Sequence, residues 1–222
     1  MASAPEVIAN FASSKLVIPH ILIKGLEDAK FAITSGADAI GFIACHKSPR
    51  YISANAAQQI CNELNPDKIQ KVGVFVDADN ETIQAYIDAG INTIQLHGDE
   101  TAEFAEQLPD VEIWKVIKPQ LNVDILRLVD FPAQKFLLDA FHKTLPGGTG
   151  KTVDIELAKF AVSNLPAPVI LAGRINPANF ADIFNEVKPF GMDVNSGVEE
   201  SLGIKDHQLI EKLFSAIKSS IS

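Results

Sequence analysis

What most constrains this chain is a rhythm. Eight short runs rich in Val, Ile, Leu and Phe each precede an amphipathic stretch, with no Pro/Ser-rich linker between them. The runs lie at 16–23, 38–44, 69–76, 92–96, 111–117, 134–139, 168–172 and 191–195. Most are continuously apolar, as strands buried on both faces are. Pro19 falls inside the first run and cannot donate to a ladder, which leaves open a strand that starts after it. Helices are predicted at 26–35, 53–64, 79–89, 100–108, 121–129, 155–164, 177–187 and 205–220. In the last, Leu209, Ile210, Leu213, Phe214 and Ile217 recur at helical spacing. Ser53 and Asp79 precede the second and third helices as caps, and Gly36 and Gly90 follow the first and third, where a left-handed residue is wanted. Eight β-then-α units in one continuous domain imply an α/β fold, a single (β/α)8 TIM barrel over 16–222 with an N-terminal extension over 1–15. The alternative, a doubly wound open sheet, usually has fewer strands. In a barrel the loops after the strands carry the chemistry.

Charge and composition exclude several classes. With 28 acidic against 19 basic residues the 222-residue chain carries a formal net charge of −9. That argues against sequence-independent binding to nucleic acid, which needs a basic footprint. No run of about 18 apolar residues is present to span a membrane. The first residues, MASAPEVIANFASSK, lack a basic start followed by a long apolar core and read as a short extension rather than a signal peptide. Cys45 and Cys61 form neither a metal spacing nor a disulfide framework, so a cytoplasmic protein with reduced thiols is expected.

Three glycine-containing turns follow neighbouring strands. After the sixth comes LPGGTGKT, with Gly147, Gly148 and Gly150; after the seventh LAGRINP, with Gly173; after the eighth VNSGVEE, with Ser196 and Gly197. Alone the first is as compatible with a flexible turn as with an anion nest, and it lacks the spacing of a Walker loop. Converging with the other two, it points to a phosphate-bearing small molecule, because phosphate sites in barrels commonly use the loops after strands seven and eight. The acidic net charge is no objection, since local dipoles outweigh distant screened charge. Asp139 closes the run FLLD, as a general acid or base, or else as a cap. Arg50, after strand two, offers a planar fork to a carboxylate, or makes a surface ion pair. His97 ends strand four and either contacts substrate or is structural. Trp114 reads as core and Lys118 as solvated.

Taken in order, GADAIGFIACHKSPRYIS, KVGVFV, IQLHGDE, WKVIK, LLDA, GGTGKTVD, LAGRINP and GMDVNSGVE…GIKD resemble the phosphoribosylanthranilate isomerase family of tryptophan biosynthesis over about residues 26–218. The resemblance implies a TIM barrel that needs no metal or organic cofactor and carries out an Amadori rearrangement. A phosphoribosyl aminoaldose opens, passes through a Schiff base and becomes a 1-deoxyribulose amino ketose. It also implies Asp139 as general acid, Arg50 beside the anthranilate carboxylate, and Gly148, Gly150, Gly173, Ser196 and Gly197 in phosphate-binding turns.

The chain departs from that family at strand one. The family reads Lys-Ile-Cys-Gly there, with the Cys as general base; this chain reads HILIKGLEDA. Alignment on Gly25 sets Lys24 at the Cys position, and alignment on Glu27-Asp28-Ala29 sets Ile21 there. Neither supplies a thiol. Lys24 is the first candidate for a substitute base, provided burial lowers its pKa, with His20 and Cys45 behind it. Arg174 replaces a family glycine, either obstructing an amide or adding a cation for phosphate, and Val153 and Ile155 stand where aromatic residues are usual. Three readings follow: a phosphoribosylanthranilate isomerase with a substituted base, an isomerase of another phosphorylated sugar, or a phosphate-binding barrel without catalysis. Loss of the Cys without replacement is expected to leave weak turnover and intact ligand binding.

Overall fold

The computed structural model describes residues 18–64, 69–139 and 153–220. Strands β1 (Ile18–Leu22), β2 (Ala39–Ile43), β3 (Gln70–Phe75), β4 (Thr93–Leu96), β5 (Glu112–Ile117), β6 (Lys135–Asp139), β7 (Val169–Ala172) and β8 (Gly191–Asp193) are all parallel and close into a barrel in sequence order. The seam is β1 against β8, with Pro19 beside Met192 and His20 beside Asp193. Pro19 is thus inside the first strand, not ahead of it. At the entrance of a short strand its missing N–H removes one ladder bond and leaves the register intact.

Helices α1 (Leu26–Ser35), α2 (Ala54–Asn62), α3 (Asn80–Asp88), α4 (Ala102–Ala105), α5 (Asn122–Leu126), α6 (Ile155–Asn164), α7 (Phe180–Val187) and α8 (His207–Ser220) alternate with the strands. The expected starts are capped as the sequence suggests: the Ser53 hydroxyl accepts from Ala56 N at 3.3 Å and the Asp79 carboxylate from Thr82 N at 2.8 Å. Beyond α1, Gly36 takes φ 122°, a backbone state that side chains disfavour. The sequence did not foretell a small antiparallel hairpin after β8, formed by β9 (Glu199–Ser201) and β10 (Ile204–Lys205).

Two apolar layers follow from the strand period of two. Ala39, Val72, Trp114, Val116, Leu137 and Ile170 point inward and fill the barrel. Phe42, Phe75, Phe136, Leu138 and Met192 point outward and pack beneath the helices. Trp114 is fully buried and donates to Glu112 at 2.6 Å, and the Lys135 ammonium lies over its ring.

Candidate active site

A cavity of about 280 Å³ opens at the C-terminal ends of the strands, walled by Leu22, Gln95, His97, Asp139, Asp193 and Ser196 among others. Strand period and strand ends decide this membership. Leu22 is the last residue of β1 and Asp139 the last of β6, while Asp193 ends β8 and His97 follows β4. A larger hollow, of about 750 Å³, lies between the start of α5 and α6, and none of these groups reaches it. The acid–base groups converge on the smaller cavity, so the chemistry is assigned there.

His97 is held neutral. Burial draws its imidazole down to about 4, and the Lys118 charge adds to this against Asp193 and Glu100. Its Nδ1 lies 3.3 Å from the Gln95 amide nitrogen. With that nitrogen donating, Nδ1 accepts and the ring proton sits on Nε2.

The turns after β7 and β8 meet along one wall. Gly173, Arg174, Ile175 and Ser196 line the cavity, and Ser196–Val198 forms a single 3-10 turn. A Cβ at Gly197 would stand 1.8 Å from the Ile175 carbonyl oxygen, so only glycine allows the two loops to approach this closely. Gly197 itself does not line the cavity. Arg174 is exposed and takes φ 53°. Gly147, Gly148 and Gly150 lie outside the described residues.

Arg50 sits next to the cavity, in a recess that shares Leu22 as a wall. Its Nε and Nη2 donate to the two oxygens of Glu199 at 2.7 and 2.5 Å. That pairing raises the guanidinium further. Burial would raise the Glu199 carboxyl, but the Arg50 bonds and the nearby Lys205 hold it below its ordinary value. Lys205 donates to Asn195 and Glu199, and burial draws its ammonium below the usual lysine range.

The ends of strand one resolve the two alignments. Ile21 points outward and is fully buried in the core between sheet and helices. Lys24 lies past the strand end and is exposed, and its ammonium donates to the Pro49 carbonyl at 3.2 Å. It does not line the cavity, so the burial that its use as a base required is missing. Leu22 occupies the inward position instead. Cys45 is half-buried and also outside the cavity lining; Cys61 is buried on α2, where burial raises its thiol. Val153 and Ile155 belong to the core between barrel and helices and do not wall the cavity.

Sequence reasoning missed Asp193, Gln95 and Glu199. Asp193 carries the same signal that singled out Asp139, a carboxylate closing an apolar run at a strand tip. It lies 3.0 Å from the Nδ1 of His20, which is fully buried inside the barrel. The two atoms are not aligned for a hydrogen bond. Both ring nitrogens of His20, Oδ1 of Asp193 and Oε1 of Gln95 have no hydrogen-bond partner among the described residues. Each unsatisfied polar group of this kind costs about 1–3 kcal/mol.

The family model for N-(5'phosphoribosyl)anthranilate (PRA) isomerase matches residues 18–216. The N-(5'-phosphoribosyl)anthranilate isomerase of Synechococcus elongatus is 38% identical over 210 residues, 89% of this chain and 95% of that one. The Aquifex aeolicus isomerase is 38% identical over 198 residues, 89% of this chain and 96% of its own length. Among solved structures, phosphoribosyl anthranilate isomerase from Thermotoga maritima superposes with a TM-score of 0.79 at 35% identity, covering 91% of this chain and 99% of that one. A phosphoribosyl anthranilate isomerase in complex with reduced 1-(o-carboxyphenylamino)-1-deoxyribulose 5-phosphate gives a TM-score of 0.80 at 32% identity over 91% and 99% of the two chains. With a matching barrel and relatives aligned over nearly their whole length, the chain belongs to the N-(5'-phosphoribosyl)anthranilate isomerase family.

Proposed function

We propose that this protein catalyses the aldose–ketose isomerisation of N-(5'-phosphoribosyl)anthranilate in tryptophan biosynthesis. The observation that carries the reading is one cavity at the strand ends that gathers Asp139, His97 and Asp193 together with the paired turns after β7 and β8. The substrate phosphate is held by amides of those turns, at Gly173 and Ser196, with Gly197 letting the two turns approach and Arg174 adding a cation at the rim; Gly148 and Gly150 are read as completing the nest. Asp139 protonates the ring oxygen and opens the furanose to a Schiff base. Arg50 receives the anthranilate carboxylate through the Nη1 donors that Glu199 does not engage. Neutral His97 presents its Nε2 proton to a substrate oxygen without adding charge. A cytoplasmic setting is in keeping with the unpaired Cys45 and Cys61.

A turnover assay on freshly prepared phosphoribosylanthranilate tests this. The wild-type protein converts it, and Asp139→Asn, which keeps the shape and removes the proton donor, lowers kcat by about 10²–10⁴-fold. An Asp139→Asn protein with wild-type turnover would refute the assignment of the acid.

A further inference from the structure

The rearrangement needs a second group, one that takes the proton from C2 of the Schiff base. This inference rests on the isomerase reading above. Among the described residues that line the cavity, three side chains can accept a proton: Asp139, His97 and Asp193. Asp139 is used as the acid. His97 has its Nδ1 lone pair turned to Gln95 and its proton on the other nitrogen, so it donates where a base must accept. Asp193 remains.

We infer that Asp193 is the general base of this chain, replacing the thiol absent from strand one, and that His20 beneath it is a positioning residue. Two independent features support this. Asp193 lines the cavity, and its side chain is 11% exposed although Oδ1 is buried against His20, so the exposure belongs to its other atoms. His20, at 0% exposure, occupies an inward position of β1, and Gly41 leaves room for its ring: a Cβ there would stand 2.5 Å from Nε2. The ring edge packs on Trp114 with centroids 5.4 Å apart. A polar ring kept in such a place, with both nitrogens unsatisfied and one of them 3.0 Å from a cavity carboxylate, is costly for stability and is explained by a catalytic arrangement.

The step balances without a co-reactant. A carboxylate oxygen of Asp193 forms a bond to the C2 proton. The C2–H electron pair becomes the C1=C2 bond, and the C1=N π pair goes to nitrogen, discharging the iminium. Return of a proton to C1 and loss of the C2 hydroxyl proton give the ketone. C2 is oxidised and C1 reduced within one molecule. His20 fixes the carboxylate for this transfer and touches no substrate atom.

The test uses the full-length protein, phosphoribosylanthranilate deuterated at C2, and reduced 1-(o-carboxyphenylamino)-1-deoxyribulose 5-phosphate as the binding probe. Asp193→Asn is expected to bind the probe as the wild type does and to lose kcat by about 10²–10⁴-fold. His20→Leu is expected to lower kcat with KM and probe affinity unchanged and to enlarge the deuterium effect on kcat, while His20→Asn, which keeps a polar group at the site, recovers part of the rate. An Asp193→Asn protein with wild-type kcat overturns the assignment, as does one that is folded but has lost the probe. His20 variants that shift KM and kcat together, or move neither, overturn the positioning role. A wild-type protein that neither binds the probe nor turns over substrate instead refutes the isomerase reading, and this proposal with it.

Discussion

His97 shows how burial and charge set a side chain's job. In water an imidazole is ordinarily half-protonated near 6.5; in this cavity it takes a proton only near 4. Between those values the unfolded chain binds a proton that the folded chain does not. Stability from this residue is therefore complete above about pH 6.5 and is lost as pH falls toward 4. A tenfold change in proton affinity is worth about 1.4 kcal/mol, so the loss across this window amounts to roughly 3 kcal/mol. His97→Asn is expected to flatten the dependence of urea midpoint on pH across that window by a comparable amount. A variant with the wild-type slope would mean that His97 is solvated in the folded state. The strand-tip position of His97 was legible in the sequence; its neutrality was not, because desolvation comes from residues on other strands.

At the scale of elements, the loops after β3 and β4 are tied by one carboxylate. Glu100 accepts from Asp77 N at 3.0 Å and from Gly98 N at 3.1 and 3.0 Å, while Lys115 reaches across from β5 to Glu100 and to the Gly98 carbonyl, each at 2.7 Å. Asp77 takes φ 49° within this knot. Both charges are almost fully buried. Lys115→Met leaves a buried carboxylate uncompensated and is expected to cost about 3–5 kcal/mol in urea denaturation. Glu100→Gln combined with Lys115→Met removes both charges, keeps an acceptor for the two amides and is expected to recover part of the loss. If the double variant is no more stable than the single, the cost is one of packing and not of charge. The helix starts at Ser53 and Asp79 were readable because a cap is local. Glu100 was not, since its three partners come from the loops after β3 and β4 and from β5, and nothing in IQLHGDE marks it.

The whole molecule is a closed ring of eight strands, so a ligand at the mouth contacts loops on opposite sides of one cooperative core. Inorganic phosphate that binds only the folded state adds about 2.7 kcal/mol at 100 times its Kd. For a chain of this size each kcal/mol moves the melting temperature by about 2–4 °C. Thermal melts over a phosphate titration are expected to show that rise. Gly173→Val, which forces a side chain onto φ 118°, is expected to reduce the phosphate-dependent increment as well as the starting midpoint. No increment at saturating phosphate would remove the anion site from the turns after β7 and β8.

The amino-acid order determined the succession of eight strands and helices, because apolar periodicity and end residues act over a few positions. It also determined which residues stand at strand tips, among them Asp139 and His97. Only the tertiary structure decided where those tips face. β1 ends at Leu22, so the alternation that sets His20 inward does not extend to Lys24, which turns to the Pro49 carbonyl. Arg50 meets Glu199 across a separation of 149 residues. Asp193 meets His20 because barrel closure sets the last strand beside the first. Side-chain direction depends on where each strand stops, and proton affinity depends on what closes over the group. Both are properties of the assembled barrel.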